Sequence, residues 1–324
     1  LGAWGWRTFD DVYFEMKQAP IGSAPISPGV TGVMTTPPIQ SSVGLPTNLG
    51  DCQITKPTAN SQSVGNLLQG SLVNGMKTET SSFVNLHNSA YSFDQKQNAN
   101  TEYGVSELIN LLEYTSCALN KKYAVKLTVK DRSLPTGGPT YKDQSKATQM
   151  PPAQWYGLVG ADKSKRYDYT RHTTHLTGRD ADLGMYFIQN GNLVNTLSSV
   201  PCGSSTCDVS HLPTPEFKDQ KALAANWDLL KFIDSFFPLQ YVGFDKYLIK
   251  EIHQFACTTE GESSAVKRFF GACNVPSVID DNSYSHTLIR HIDGHANHYH
   301  IAILCPKDDA QCSGNKGELK LPSP

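Results

Sequence analysis

The sequence predicts an α+β fold: a small central antiparallel sheet with helices packed mainly on one side, preceded by an extended Pro-rich arm. Three observations carry this. Apolar residues recur at helical spacing in three segments, short runs between those segments alternate at period two, and residues 1–61 follow neither pattern. At 324 residues the chain could hold one large or two small domains, and its 39% apolar fraction supports an ordinary core.

Taken in order, residues 1–61 form the arm. After Trp4-Gly-Trp6 and a short strand-like Asp11–Phe14, repeated Pro, Ser, Gly and Thr bury too little apolar surface to offset ordering. Such an arm could wall a cleft or anchor another protein, and a linker is its simplest reading. The main domain spans 62–312, with a polar tail over 313–324. Glu107–Leu119 carries Leu108, Leu111, Leu112 and Leu119 at helical spacing, and Tyr123–Val129 then alternates as a strand. Asp131–Pro139 is rich in turn residues and belongs at a strand end. Residues 141–169, polar and rich in Lys, Gln and Tyr, read as an inserted loop in which Trp155-Tyr156 packs locally. Asp182–Ile188 is a strand with Leu183, Met185 and Phe187 on its apolar face. Phe217–Phe237 sets Leu223, Trp227, Leu230 and Phe237 on one helical face, and Pro238 ends that helix. Leu239–Phe244 is a buried strand, Lys246–Ala256 a helix, and Ile301–Cys305 a closing strand.

Five of the ten histidines lie in two short segments, His172-Thr-Thr-His175 and His295-Ala-Asn-His298-Tyr-His300. Side chains at i and i+2 of a strand share a face, so His298 and His300 point one way while Tyr299, Ile301 and Ile303 point the other. Asp182 likewise lies opposite the apolar face of its strand, and His175 precedes it on a glycine-containing loop. Neighbouring strands carrying Asp182 and His300, with the loop folding His175 over them, can present three donors to one zinc ion. Two imidazoles and a carboxylate with a fourth position open for water are the donor set of a hydrolytic zinc site. There is no H-E-x-x-H motif, which excludes the helix-borne zinc protease site. His87, His253 and His286 read as surface or core residues.

The net charge of −2 and the absence of a basic run make nucleic acid an unexpected partner, and no apolar stretch approaches the ~18 residues of a membrane span. A start at Leu1 fits a processed secretory product and a trimmed chain alike, so the cysteines carry more. Eight cysteines include two close pairs, Cys202 with Cys207 and Cys305 with Cys312, and neither pair is C-x-x-C. Short disulfide loops in an oxidising compartment, periplasmic or secreted, are the better account. Cys257 with Cys273 is the next expected pair, and Cys52 and Cys117 pair with each other or stay free.

The same residues resemble the penicillin-insensitive murein endopeptidases, of the lysostaphin, D-Ala-D-Ala peptidase and hedgehog group of zinc folds. The resemblance covers roughly Gln62 to Cys312. Ser63-Val-Gly65 through Leu72-Val-Asn-Gly75 is similar to that family's glycine-rich strand pair, and Asp131–Pro139 to its D-x-x-x-P-x-G-G turn. His172-x-x-His175-x-x-Gly178-x-Asp180-x-Asp182 follows its H-x-x-H-x-x-G-x-D-x-D. His295-x-x-His298-x-His300, continuing to Cys305-Pro306 and Cys312, follows its H-x-x-H-x-H strand and disulfide loop. Asp208-Val-Ser-His211 is a weaker match to a D-x-x-H segment. The family cysteine near Ser71 and a partner cysteine after Cys312 are missing, so the disulfide pattern differs.

The resemblance implies that His175, Asp182 and His300 hold zinc, that His298 is the catalytic histidine, and that His295 lines the site and helps orient water or substrate. It implies a second metal position at His172, Asp208 and His211. It also implies the substrate, the D-alanyl-diaminopimelyl peptide crosslinks of peptidoglycan. The alternatives are a D-Ala-D-Ala carboxypeptidase or dipeptidase of the same fold, and a non-catalytic secreted cell-wall-binding protein that keeps zinc as a staple.

Overall fold

The computed structural model describes residues 52, 61–78, 84–86, 101–142, 144–158, 165–170, 174–196, 219–274, 287–292, 295 and 297–318. Among them the chain runs β1 (Gln62–Asn66), β2 (Gln69–Val73), β3 (Met76–Lys77), β4 (Val84–Leu86), β5 (Tyr103–Gly104), α1 (Ser106–Tyr123), β6 (Leu127–Lys130), α2 (Gln144–Gln149), α3 (Pro152–Tyr156) and α4 (Arg166–Tyr169). It continues through β7 (Asp180–Gln189), β8 (Asn192–Thr196), α5 (Gln220–Phe236), β9 (Leu239–Phe244), α6 (Lys246–Glu260), α7 (Ser264–Phe270), β10 (Ile289–His291), β11 (His298–Ile303), β12 (Cys305–Pro306) and β13 (Lys316–Gly317). Of the expected arm, only Cys52 and Ser61 lie among the described residues. The expected polar tail begins inside the fold, because β13 pairs in parallel with β12.

Helix α1 buries Leu108, Leu111, Leu112 and Leu119 completely, as its spacing predicts. It runs past the expected end at Leu119. Tyr123 remains helical with its ring 6.0 Å from that of Tyr186 and its hydroxyl donating to Asp228 at 2.6 Å. Ala124, left-handed at φ 57°, then stops the helix. The strand expected from Tyr123 therefore starts at Leu127. At the head of α5 the Asp219 carboxylate accepts the N–H groups of Lys221 and Ala222, an N-cap contribution of ~1 kcal/mol. Helix α6 continues four residues beyond Ala256, so Cys257 is helical, and α7 occupies the stretch expected as a disulfide loop.

The main sheet has seven strands in the order β10-β9-β11-β7-β6-β4, with β8 also paired to β7. Its centre is antiparallel, as expected, but both edge pairs, β10–β9 and β4–β6, are parallel. The reason is connectivity: α1 lies between β4 and β6, and α6 with α7 between β9 and β10, and helical crossovers join parallel strands. β7 and β8 form a hairpin whose two-residue turn, Asn190-Gly191, has φ 53° and 76°. Both positions need positive φ, which Asn and Gly tolerate best.

One face of this sheet meets the helices. Val129, Leu183, Val242, Tyr299, Ile301 and Ile303 share a core with Leu111, Leu112, Trp227, Leu230 and Ile249. Burying each large apolar side chain contributes roughly 1.5–3 kcal/mol. On the opposite face Leu67, from the β1–β2 turn, packs with Tyr241 and Ala302. Disulfides join Cys52 to Cys117, Cys257 to Cys273 and Cys305 to Cys312. The expected Cys202–Cys207 pair lies outside the described residues. Within the expected insertion, α2, α3 and α4 form, and Trp155 is fully buried beside Met150 and Leu176 under the Arg166 guanidinium. Local packing, not a stacking platform, is its role.

Candidate metal centre

Strand pairing brings the two sequence segments together. β11 and β7 are antiparallel with His300 directly opposite Asp182, and β9 sets Gly243 on the other side of His300. Because side chains alternate, Asp180, Asp182, His298 and His300 emerge on the face away from the helices.

His175 reaches them from the loop before β7. Its backbone is left-handed at φ 62°, uncommon for a residue with a Cβ, and its N–H donates to Asp180 Oδ2 at 2.8 Å. Gly178 follows at φ 69°. A Cβ there would come within 2.9 Å of Leu72 and 3.0 Å of Gly104, so only glycine fits. The turn-rich Asp131–Pro139 segment packs on this loop through the Gly138 N–H to the Leu176 carbonyl, at 3.0 Å. It therefore borders the site, as a turn at a strand end should.

His175, Asp182 and His300 are all buried and offer ligand atoms within 4.8 Å of one another. His175 Nε2 lies 3.4 Å from Asp182 Oδ1, close to the ~3.4 Å edge between two donors each about 2.0–2.1 Å from a tetrahedral zinc ion. His300 Nδ1 is 2.9 Å from the same oxygen. Asp182 Oδ2 and Asp180 Oδ1 are buried and accept no hydrogen bond among the described residues. An unsatisfied buried carboxylate oxygen is costly, and a cation would satisfy it. The residues fit a divalent metal ion.

A second group shares Asp182. His295 and His298, both partly exposed, also place ligand atoms within 4.8 Å of each other and of the Asp182 carboxylate. His298 Nε2 lies 3.6 Å from Asp182 Oδ2, and the two imidazole centres are 4.4 Å apart. His298 Nδ1 sits 2.6 Å from Asn297 Oδ1. With that oxygen as acceptor, Nδ1 carries a proton, and Nε2 offers a lone pair when the ring is neutral.

The charges are strongly coupled. Burial opposes ionisation of Asp182, but the neighbouring His298 and His175 hold its carboxyl well below the usual carboxylate range. Asp180 is brought down to about 2 against the same burial, by His175 and His300. Burial also opposes a charged His300, yet Asp180 and Asp182 raise it to about 10. Arg132, nearly fully buried, is pulled down to about 10 by burial against the charges of Glu102, Asp131 and Asp182.

The structure thus brings together five of the eight residues singled out from sequence: His175, Asp182, His300, His298 and His295. His172, Asp208 and His211, expected at a second metal, lie outside the described residues. Two contributors were not anticipated. Asp180, fully buried, holds the His175 backbone and approaches His300 Nε2 at 3.3 Å. When Nδ1 of His300 is a ligand, that outer nitrogen can donate to Asp180, the carboxylate–histidine–metal relation that fixes ring orientation. Its place two residues before Asp182 on one strand was the available signal. Tyr241 stacks on His300 at 5.6 Å and an interplanar angle of 12°. Only the pairing of β9 with β11 brings it there. His253 is a packing residue, stacked on Phe270 with Nε2 2.8 Å from the Ala272 carbonyl.

No protein-family model matches the chain, and no curated protein matches it either. What fold and site define is a class: a disulfide-bonded α+β protein whose buried His/Asp group could hold a metal ion. No helix among the described residues is long and apolar enough to cross a membrane.

Proposed function

We propose that this protein is a zinc-dependent peptidoglycan hydrolase, a murein endopeptidase that cuts D-alanyl-diaminopimelyl crosslinks in the periplasm or outside the cell. The observation that carries the reading is the asymmetry of the site. Its three candidate ligands are buried, while His298, with 12% of its side chain exposed, and His295 flank them on the more open side. A purely structural staple needs no such pair. Disulfides support the oxidising compartment, and the motif resemblance supports the substrate.

When bound, zinc supplies Lewis acidity and a water of lowered pKa. His298 Nε2, its lone pair kept available by the Nδ1 contact with Asn297, takes the proton of the attacking water and returns it to the leaving amine. His295, against the His298 ring, orients water or substrate. Asp180 keeps His175 and His300 in place.

The test is digestion of purified crosslinked muropeptide dimers by the protein as isolated, after chelation, and after zinc restoration, with products identified by mass. Monomeric products that vanish with chelator and return with zinc are expected. Intact dimers in all three arms would overturn the reading, and release of terminal D-alanine alone would move it to a carboxypeptidase.

A further inference from the structure

Edge and face contacts together define how the His300 imidazole sits. At its edge, Nδ1 lies 2.9 Å from Asp182 Oδ1 and Nε2 lies 3.3 Å from Asp180 Oδ2. Two edge contacts fix a line, and a flat ring held only at that line still tilts about it. A face contact removes the tilt. Tyr241 lies flat on His300, with ring centroids 5.6 Å apart and an interplanar angle of 12°, whereas His175 and His295 meet the same ring at 63° and 79°.

We propose that Tyr241 is a positioning residue: its ring holds the plane of the His300 imidazole so that Nδ1 is aimed at a metal ion shared with His175 and Asp182. The inference rests on the zinc-binding part of the function proposed above, and not on hydrolysis. The lone pair of an imidazole nitrogen lies in the ring plane. A tilt therefore takes it off the ion even when the nitrogen itself stays in place, which is why ring orientation tunes a ligating histidine.

The sheet places Tyr241 for this role. β9 runs between β10 and β11, and Tyr241 stands two residues from Gly243, the partner of His300, so the two rings are diagonal neighbours on one face. Gly243 leaves the space beside them open. A Cβ there would come within 2.0 Å of Ile292 Cδ1, so the glycine lets Ile292 lie across β9 and pack against the cluster of Leu67, Tyr241 and Ala302. From β10 the Arg290 guanidinium stands 6.0 Å from the Tyr241 centroid. The hairpin turn that carries Leu67 is itself held, because Arg166 Nη1 donates to the Leu68 carbonyl at 3.1 Å and the Tyr156 hydroxyl to that of Gly70 at 2.7 Å. The inserted segment thus braces the ring that braces the ligand.

The test is titration of the chelator-stripped full chain with zinc by calorimetry and with cobalt(II) by visible absorption, for wild type, Tyr241→Phe and Tyr241→Leu. Tyr241→Phe keeps the flat face and should bind zinc within a few-fold of wild type, with the wild-type cobalt spectrum. Tyr241→Leu keeps apolar bulk without the face. Its zinc dissociation constant should rise roughly 10–100-fold, the usual effect of losing an outer partner of a ligand, and its cobalt bands should shift. If Tyr241→Leu does not fold, Leu67→Ala, which removes the backing of Tyr241 instead, carries the test with the same spectral shift expected. A leucine variant with a lowered melting temperature but wild-type affinity and cobalt spectrum would reduce Tyr241 to packing and overturn the proposal. So would a Tyr241→Phe variant as impaired as Tyr241→Leu, which would assign the effect to the hydroxyl. The expected pattern without muropeptide cleavage leaves the role of Tyr241 standing and removes the hydrolase reading. Metal-dependent cleavage, with metal binding indifferent to Tyr241→Leu, does the reverse.

Discussion

The backbone N–H of His175 donates to Asp180 Oδ2 at 2.8 Å, and this bond anchors a left-handed histidine whose Nε2 lies 3.4 Å from Asp182 Oδ1. A non-glycine residue in that region costs about 1–3 kcal/mol, which the surrounding contacts must offset. Asp180→Ala removes that anchor and the outer partner of His300 together. Its metal affinity should fall roughly 10–100-fold, with a lowered melting temperature. Unchanged affinity by calorimetry would show that Asp180 does not position the ligands.

Ligand and base should separate in variants. On the zinc hydrolase reading proposed above, His298→Ala is expected to retain metal at His175, Asp182 and His300 while losing turnover by roughly 100–10,000-fold, the usual range for a general acid–base group. His175→Ala should lose metal and activity together. Metal content measured beside muropeptide cleavage decides between them, and equal loss of metal in both variants would refute the division of roles.

His253 supplies a pH-dependent stability difference outside the candidate metal centre, against Phe270 and Ala272. Burial, partly offset by its hydrogen bond to Ala272, lowers its pKa below the ordinary value. The unfolded chain therefore binds the proton more readily than the folded one, and stability rises with pH. The His253 contribution is fully present above the unfolded pKa of about 6.5 and is lost as pH falls through that value toward the lower folded one. Urea midpoints at neutral and mildly acidic pH should diverge less for His253→Phe than for wild type. Identical pH dependence in the two proteins would contradict this assignment.

The Cys52–Cys117 disulfide closes a separation of 65 residues and fastens the segment before β1 to helix α1. Replacing both cysteines with alanine should cost roughly 2–5 kcal/mol of unfolding free energy. Because the helices and the candidate metal centre lie on opposite faces of the sheet, zinc affinity should be unchanged. Denaturant unfolding alongside a zinc titration checks both halves of the statement.

Much of this was legible in the chain itself. Period-two alternation around Asp182 and His300 fixes which way those side chains point, since a strand has only two faces. The leucines of α1 and the Trp227 stripe of α5 likewise specify buried helix faces. Helix ends were less legible, because Tyr123 and Cys257 are as compatible with a strand or loop as with a last helical turn until Tyr186, Asp228 and Cys273 are in contact with them. Strand order and the parallel edges needed the tertiary structure, since connectivity through a helix does not say which strand becomes the neighbour.

The chain alone thus determines the donor types, their spacing and their facing, all consequences of local backbone geometry. Tertiary structure alone decides that His300 lies opposite Asp182, that Asp180 holds His175 in place, and that the two oxygens of Asp182 turn to different histidines. The pairing of His300 with Asp182 joins residues more than a hundred positions apart and depends on register between strands, which only the packing of the whole sheet sets, whereas Asp180 and His175 are five residues apart and meet through the left-handed backbone of the loop before β7.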